Sequence, residues 1–146
     1  MLLSIENFQV RKVDSKRSGW GLPGIVFFRT SNLGDTVSFY VNRLGLRVWL
    51  EQKGCTILVH GSFLLGFCES DVSETVGVIT LFYETMEEVD HMYTKLKDIS
   101  TTEQVENERY RIYQFYAKDP EGRTLEFQAF LHDLEPLTLE KFLSDS

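Results

Sequence analysis

The chain has 146 residues and a mass of 17.0 kDa, close to the usual length of one domain. It carries 15 Lys and Arg against 22 Asp and Glu, a net charge of −7, which argues against nucleic acid and anionic membranes as partners. With 42% hydrophobic and 25% charged residues the composition is that of an ordinary globular protein. We therefore expect a single folded domain over residues 1–146.

The sequence predicts neither export nor membrane insertion. The segment from Met1 to Glu6 lacks the basic region and the long apolar run of a signal peptide, and no stretch reaches the ~18 apolar residues of a membrane span. Two cysteines, Cys55 and Cys68, are too few for a disulfide scaffold. We therefore expect reduced thiols in the core and a cytoplasmic location.

The first half of the chain predicts a strand, a helix and three more strands. The strand begins at Ile25, and the helix is capped by Asn32 and stopped by Gly45. Apolar residues recur along this helix at a spacing that places them on one face. They are Val37, Tyr40, Val41 and Leu44. The three short strands that follow are Leu46 to Glu51, Thr56 to His60 and Phe63 to Glu69.

The same order of elements recurs from Val78. A strand to Tyr83 precedes a helix that opens on the capping box Thr85 and Glu88. The strands predicted after this helix are Thr101 to Val105, Arg109 to Ala117 and Arg123 to Phe130. The second half is longer by about eight residues around Glu103 to Glu108, which we place in a surface loop.

The segments outside the two halves are short. Residues 1–24 form an N-terminal extension in which Phe8 to Val13 is a candidate edge strand. A C-terminal helix is predicted at about residues 137–144, where Leu139, Phe142 and Leu143 give an apolar stripe. A solvated, fraying tail is the alternative for this end.

Repetition of one unit suggests an α+β protein built from two βαβββ modules, at about residues 25–70 and 77–131. Three motifs support a family resemblance: the segment from Ser31 to Leu46, its weaker echo Glu84-Thr85-Met86, and the closing run from Asp119 to Phe127. With them the chain resembles the vicinal oxygen chelate superfamily, which includes glyoxalase I, extradiol dioxygenases and bleomycin-resistance proteins. The resemblance implies that the two modules enclose one cleft.

The resemblance also implies four inward metal ligands, one from the first and one from the last strand of each module. The matching positions here are Ile25, Leu65, Val78 and Glu126, and Glu126 is the one metal-ligating side chain among them. A divalent ion needs several oxygen or nitrogen donors in a defined geometry. We therefore expect no metal ion and no other cofactor. His60, His91 and His132 fall off the expected inward positions, and we assign them surface or structural roles.

If Ile25 and Val78 point inward as the resemblance implies, strand alternation turns Phe27, Arg29, Thr80 and Phe82 to the cleft. The resemblance also implies that Gln114 and Tyr116 face it, with Tyr110 in phase. The candidate ligand-binding residues are Phe27, Arg29, Thr80, Phe82, Tyr110, Gln114, Tyr116 and Glu126. Each has a purely structural alternative. Phe27 and Phe82 could fill the modules, Arg29 could pair with Glu126, and the two tyrosines could point to solvent.

The leading functional hypothesis is a metal-free homodimer that binds a small molecule bearing a flat or aromatic group. The 19 aromatic residues (11 Phe, 6 Tyr and 2 Trp) support stacking on such a ligand, and the acidic balance mildly favours a cation. One alternative is a metal-dependent lyase, isomerase or dioxygenase with a displaced metal site that includes Glu126. A second alternative is a non-catalytic interaction domain whose cleft is filled by its own phenylalanines.

Overall fold

The computed structural model describes residues 23–135. Within this range the chain runs strand, helix and three strands, and then repeats that order. The first module contains β1 (Ile25–Thr30), α1 (Leu33–Asn42), β2 (Arg47–Gln52), β3 (Cys55–His60) and β4 (Phe63–Glu69). The second contains β5 (Val78–Tyr83), α2 (Met86–Leu96), β6 (Val105–Asn107), β7 (Ile112–Lys118) and β8 (Thr124–Phe130).

Each module forms its own four-stranded sheet. The first sheet has the order β1-β4-β3-β2, in which β1 is parallel to β4 while β3 is antiparallel to both of its neighbours. The second sheet repeats this pattern as β5-β8-β7-β6. The predicted α+β class with two βαβββ modules is therefore confirmed.

The chain divides into two compact units that differ slightly from the modules. One unit is the described part of Met1–Ile79 together with Lys118–Leu125. The other is Thr80–Ala117 with the described part of Glu126–Ser146. The closing turn of the second module thus belongs to the unit built mainly from the first.

Both predicted helix caps are present. The side chain of Asn32 accepts a hydrogen bond from the backbone N–H of Asp35 (3.2 Å), and the Thr85 hydroxyl accepts one from that of Glu88 (3.2 Å). The apolar face predicted for α1 is only partly right, because its buried residues are Thr36, Phe39 and Tyr40 while Val37 and Val41 are half-buried. In α2 the buried residues are Val89, Met92 and Leu96. In α1 the ring of Tyr40, which is fully buried, lies 4.8 Å from that of Phe67 in β4.

The strand prediction for residues 101–111 is wrong in its details. Strand β6 is Val105–Asn107, within the segment expected to be a loop, and β7 begins at Ile112 rather than at Arg109. The side chain of Asn107 accepts hydrogen bonds from the backbone N–H groups of Arg109 (3.1 Å) and Tyr110 (3.3 Å). This Asx turn reverses the chain and converts the inserted residues into a hairpin.

The prediction of reduced thiols is also wrong, because Cys55 and Cys68 form a disulfide between β3 and β4. Their α-carbons lie 4.1 Å apart, and the backbone N–H of Glu69 bonds the carbonyl of Gly54 just outside the pair (2.7 Å). This is the narrow, non-hydrogen-bonded position of an antiparallel ladder, where side chains come closest. The sequence argument considered only cysteine number and missed that position.

A buried ionic cluster, the Arg123 cluster, consists of Arg123, Asp119, Glu121 and Tyr40. The Arg123 guanidinium is 1% exposed and donates to Asp119 Oδ2 (3.0 Å) and Glu121 Oε1 (2.9 Å). It also donates to the backbone carbonyls of Glu74 (2.7 Å) and Arg29 (2.8 Å). The closing run from Asp119 to Phe127, one of the three family motifs, therefore stabilises the fold. Through Arg123 it ties the closing turn to the end of β1 and to the loop after β4.

The carboxylates of this cluster are fully engaged. The Tyr40 hydroxyl donates to Asp119 Oδ2 (2.8 Å), and burial raises the pKa of Tyr40, as does the charge of Asp119. Glu121 accepts from the hydroxyls of Thr30 (2.5 Å) and Ser73. Burial alone raises the pKa of Glu121, but hydrogen bonds from Ser73, Thr30 and Arg123, with the charge of Arg123, lower it to about 2.

Neither helix within residues 23–135 is long and apolar enough to cross a membrane. The candidate strand from Phe8 to Val13 and the predicted helix at 137–144 lie outside the described residues.

Candidate functional site

In the first module, the sheet face that carries Ile25 and Phe27 is apolar. Phe27 pairs with Gly66 across β1 and β4, and a Cβ added at Gly66 would lie 2.4 Å from the Phe27 ring. The ring therefore lies over the glycine and covers it. Phe27 remains 48% exposed, so it is not the core filler that one alternative proposed.

The β4 residue on this face is Gly66, one position from Leu65. Leu65 pairs with Val26, and because strand residues alternate between faces, it points away from Phe27. It is fully buried. The residue at the end of the same face is Arg29, whose register partner is the disulfide-bonded Cys68.

In the second module the structure brings together four of the eight candidate residues, the Glu126 cluster: Thr80, Gln114, Tyr116 and Glu126. The Thr80 hydroxyl on β5 donates to Glu126 Oε1 on β8 (2.7 Å). Tyr116 on β7 lies near enough to Glu126 and Gln114 for both to shift its pKa. Three neighbouring strands thus carry one polar patch.

Two features define what this patch can do chemically. Burial raises the pKa of the Tyr116 hydroxyl, and so does its hydrogen bond to Glu126, while Gln114 opposes the rise. Tyr116 is therefore a hydrogen-bond donor at neutral pH and not a base. Gln114 is 7% exposed, and its Oε1 has no hydrogen-bond partner among the residues that the structure describes. Glu126 and Gln114 thus keep acceptor capacity that the described residues do not use.

The other candidate residues lie apart from this cluster. Phe82 is 47% exposed and packs edge-on against Phe130, with ring centroids 5.5 Å apart. Tyr110 lies in the β6–β7 turn, is 58% exposed and lies under the guanidinium of Arg109 (5.3 Å). Arg29 and Glu126 belong to different compact units, so their pairing stays a prediction.

The residues at the implied metal-ligand positions do not fit a divalent ion. Ile25 and Val78 have no donor atom, and Gly66 has no side chain. Glu126 supplies one carboxylate, whose Oε1 already accepts a hydrogen bond from Thr80. No group of three His, Cys, Asp or Glu side chains converges within residues 23–135. One carboxylate is too few for a stable site.

A shallow depression of about 260 Å³ lies against α2 and includes none of the eight candidate residues. Tyr83, Glu87, Glu88, His91 and Met92 line it. His91 and His132 are exposed on the surface.

Sequence reasoning missed two features of the first module, and both had a signal. Cys55 and Cys68 lie at equal distances from the two-residue turn Gly61-Ser62, and such a turn fixes the register of a hairpin. Gly66 interrupts an apolar strand, which is a sign that another group approaches the backbone closely.

Comparisons with known proteins agree with the fold described above. No protein-family model and no curated protein matches the chain. Among solved structures, an integron cassette protein from the mobile metagenome of the Halifax Harbour sewage outfall is 22% identical, with a TM-score of 0.66, over 75% of this chain and 98% of that one.

Two further solved structures carry family names. A glyoxalase/bleomycin resistance protein/dioxygenase from Nocardioides is 18% identical, with a TM-score of 0.62, over 93% of this chain and 99% of that one. Lactoylglutathione lyase from Agrobacterium tumefaciens is 19% identical, with a TM-score of 0.60, over 72% and 90%. At such identities the likeness speaks for fold and not for activity. The chain therefore has the paired βαβββ fold of the glyoxalase/bleomycin resistance/dioxygenase proteins, the fold of the vicinal oxygen chelate superfamily.

Proposed function

We propose that this chain is a glyoxalase/bleomycin-resistance-like protein that binds a small molecule without a metal ion, and that the Glu126 cluster is part of its binding surface. The observation that carries the proposal is the buried Oε1 of Gln114, which has no hydrogen-bond partner within residues 23–135 and lies on the strand next to that of Glu126. A buried acceptor left without a donor costs about 1–3 kcal/mol. A protein that keeps such a group gains from it when a ligand supplies the donor.

The metal-free part of the proposal rests on the donor set. Ile25, Val78 and Gly66 leave Glu126 as a single carboxylate. The test is metal analysis combined with native mass spectrometry of protein purified without chelator from medium supplemented with zinc, manganese, nickel and iron. We expect far less than one metal ion per chain. Stoichiometric metal that is lost on Glu126→Gln substitution would instead support the metal-dependent lyase, isomerase or dioxygenase.

The homodimer and the single-domain organisation over residues 1–146 belong to the same proposal. Strand β1 is an edge of its sheet and exposes Ile25, Val26 and Phe27 by 37%, 47% and 48%. A second copy that covered this strand would remove apolar surface from water. Light scattering after size exclusion measures the subunit number. We expect a dimer that Val26→Lys weakens, and a monomer at all concentrations would contradict it.

A cytoplasmic location is also retained as a proposal, and fractionation of cells that express the full-length chain provides its test. Disulfides are rare in reducing compartments, so the Cys55–Cys68 bond weighs against this location. We expect the chain in the cytosolic fraction, and its recovery from an exported or membrane-enclosed fraction would contradict the proposal.

A further inference from the structure

The Glu126 cluster has more hydrogen-bond acceptors than donors. Glu126 Oε1 accepts from Thr80, and Glu126 lies near enough to Tyr116 to affect the pKa of its hydroxyl. A carboxylate has about four lone-pair sites, so acceptor capacity remains. Gln114 Oε1 has no partner among the described residues. The missing component is a group with several N–H donors.

The charge of the cluster points in the same direction. Glu126 is 9% exposed, and within its own compact unit no described Lys or Arg forms an ion pair with it. A buried carboxylate without a cation is stabilised strongly by a positive donor. An anionic ligand would meet acceptors and like charge, and a neutral hydroxyl would satisfy one acceptor at most with its single O–H. The net charge of −7 also favours the approach of cations.

Apolar surface adjoins the polar patch on the same strand. Phe82 lies two residues beyond Thr80 on β5, which places both side chains on one face of the sheet. Its ring is half exposed and held in place by Phe130. A ligand whose cation sits on Glu126 can therefore rest an apolar or aromatic body beside Phe82.

We infer that the Glu126 cluster binds a primary ammonium group carried on an apolar or aromatic body, with N–H donors directed at Glu126 and at Gln114 Oε1. This inference rests on the proposed function and names the ligand class of that same site. The ammonium has three donors, enough for both acceptors at once. The adjacent body excludes water from the contact, which strengthens the charged hydrogen bonds.

The test compares three probes of nearly equal shape: benzylammonium, benzyl alcohol and benzoate. Binding is measured by calorimetry and by chemical-shift titration of labelled full-length protein at pH 7. We expect benzylammonium to bind at least about tenfold more tightly than benzyl alcohol. Benzoate should not bind. The preference should disappear in Glu126→Gln and become weaker in Gln114→Leu.

Two controls keep the test decisive. Glu84→Gln removes one negative charge from an exposed position outside the cluster and should leave benzylammonium binding unchanged. If Glu126→Gln fails to fold, as judged by circular dichroism, Gln114→Leu alone carries the test.

The outcomes separate this inference from the proposed function. Equal or tighter binding of benzyl alcohol or benzoate overturns the ammonium assignment and leaves a small-molecule site in place. Benzylammonium binding that survives both cluster variants overturns it as well. Failure of all three probes to bind the wild-type protein contradicts both the inference and the proposed function.

Discussion

Two buried polar clusters in this chain differ in how completely their groups are partnered. In the Arg123 cluster, the guanidinium donates hydrogen bonds to two carboxylates and two backbone carbonyls. The Tyr40 hydroxyl donates a further hydrogen bond to Asp119. In the Glu126 cluster, Gln114 Oε1 is left without a partner within residues 23–135. Evolution of a stable fold favours the first arrangement, because unsatisfied buried groups are costly.

The comparison assigns different roles to clusters that look alike in composition. A fully partnered cluster has nothing left to offer a ligand, so its effect is on folding. A cluster with a spare acceptor loses stability in the free protein and recovers it on binding. Mutations should therefore act with opposite signs on stability at the two places.

The largest effect is expected from Arg123→Met. The substitution leaves the carboxylates of Asp119 and Glu121 in a buried region without their cation. Breaking a buried ion pair in this way costs about 3–5 kcal/mol. Urea unfolding at pH 7 measures it, with Arg109→Met, an exposed arginine beside Tyr110, as the control expected to change the free energy of unfolding by less than about 0.5 kcal/mol. A loss below 1 kcal/mol at Arg123 would show that the cluster is not structural.

Tyr40→Phe should cost about 1.5–3 kcal/mol, because it removes a hydrogen bond to the charged Asp119 while keeping the buried ring. The same measurement on Tyr110→Phe, at an exposed ring, should show almost no change. Equal effects at the two tyrosines would contradict the assignment.

The pH dependence of stability should reveal Glu121. The ordinary pKa of a Glu carboxyl is 4.5, and the folded protein lowers that of Glu121 to about 2. The folded state therefore favours the ionised form. The stabilisation is therefore complete above pH 4.5 and is lost as the pH falls toward 2. We expect the difference in unfolding free energy between wild type and Glu121→Gln to shrink over this range. A difference that stays constant down to pH 2 would contradict the ionic role.

The smallest effect, and the one of opposite sign, is expected from Gln114→Leu. The substitution removes a buried acceptor that has no partner and replaces it with an apolar side chain of similar size. Stability should stay unchanged or rise by up to about 1 kcal/mol. A loss of 2 kcal/mol or more in thermal or urea unfolding would place Gln114 among the structural groups.

Much of the fold followed from local sequence signals. The caps at Asn32 and Thr85 and the repeated element order predicted both modules, because capping and periodicity depend on nearby residues. Contacts between residues far apart in the sequence were harder to predict. The Cys55–Cys68 bond required the hairpin register, and the Asx turn at Asn107 reversed the chain inside a segment that was placed in a surface loop because of its extra length.

The site was predicted in part for the same reason. Strand alternation turned Thr80 to the cleft, and the family resemblance implied that Gln114, Tyr116 and Glu126 face it. The structure joins Thr80 to Glu126 and brings Tyr116 near Glu126 and Gln114. Which atom would remain without a partner depends on rotamers across three strands, and no local pattern encodes that. The role of Arg123 also could not be predicted, since its partners come from distant segments.

The central claim is tested most directly by titrating labelled, metal-stripped protein with benzylammonium in the presence of a chelator, while following the side-chain amide signal of Gln114. The signal is assigned by its loss in Gln114→Leu. The account predicts a saturable shift of this signal without any metal ion. A signal that stays fixed for every probe, or that moves only after a divalent ion is restored, would contradict it.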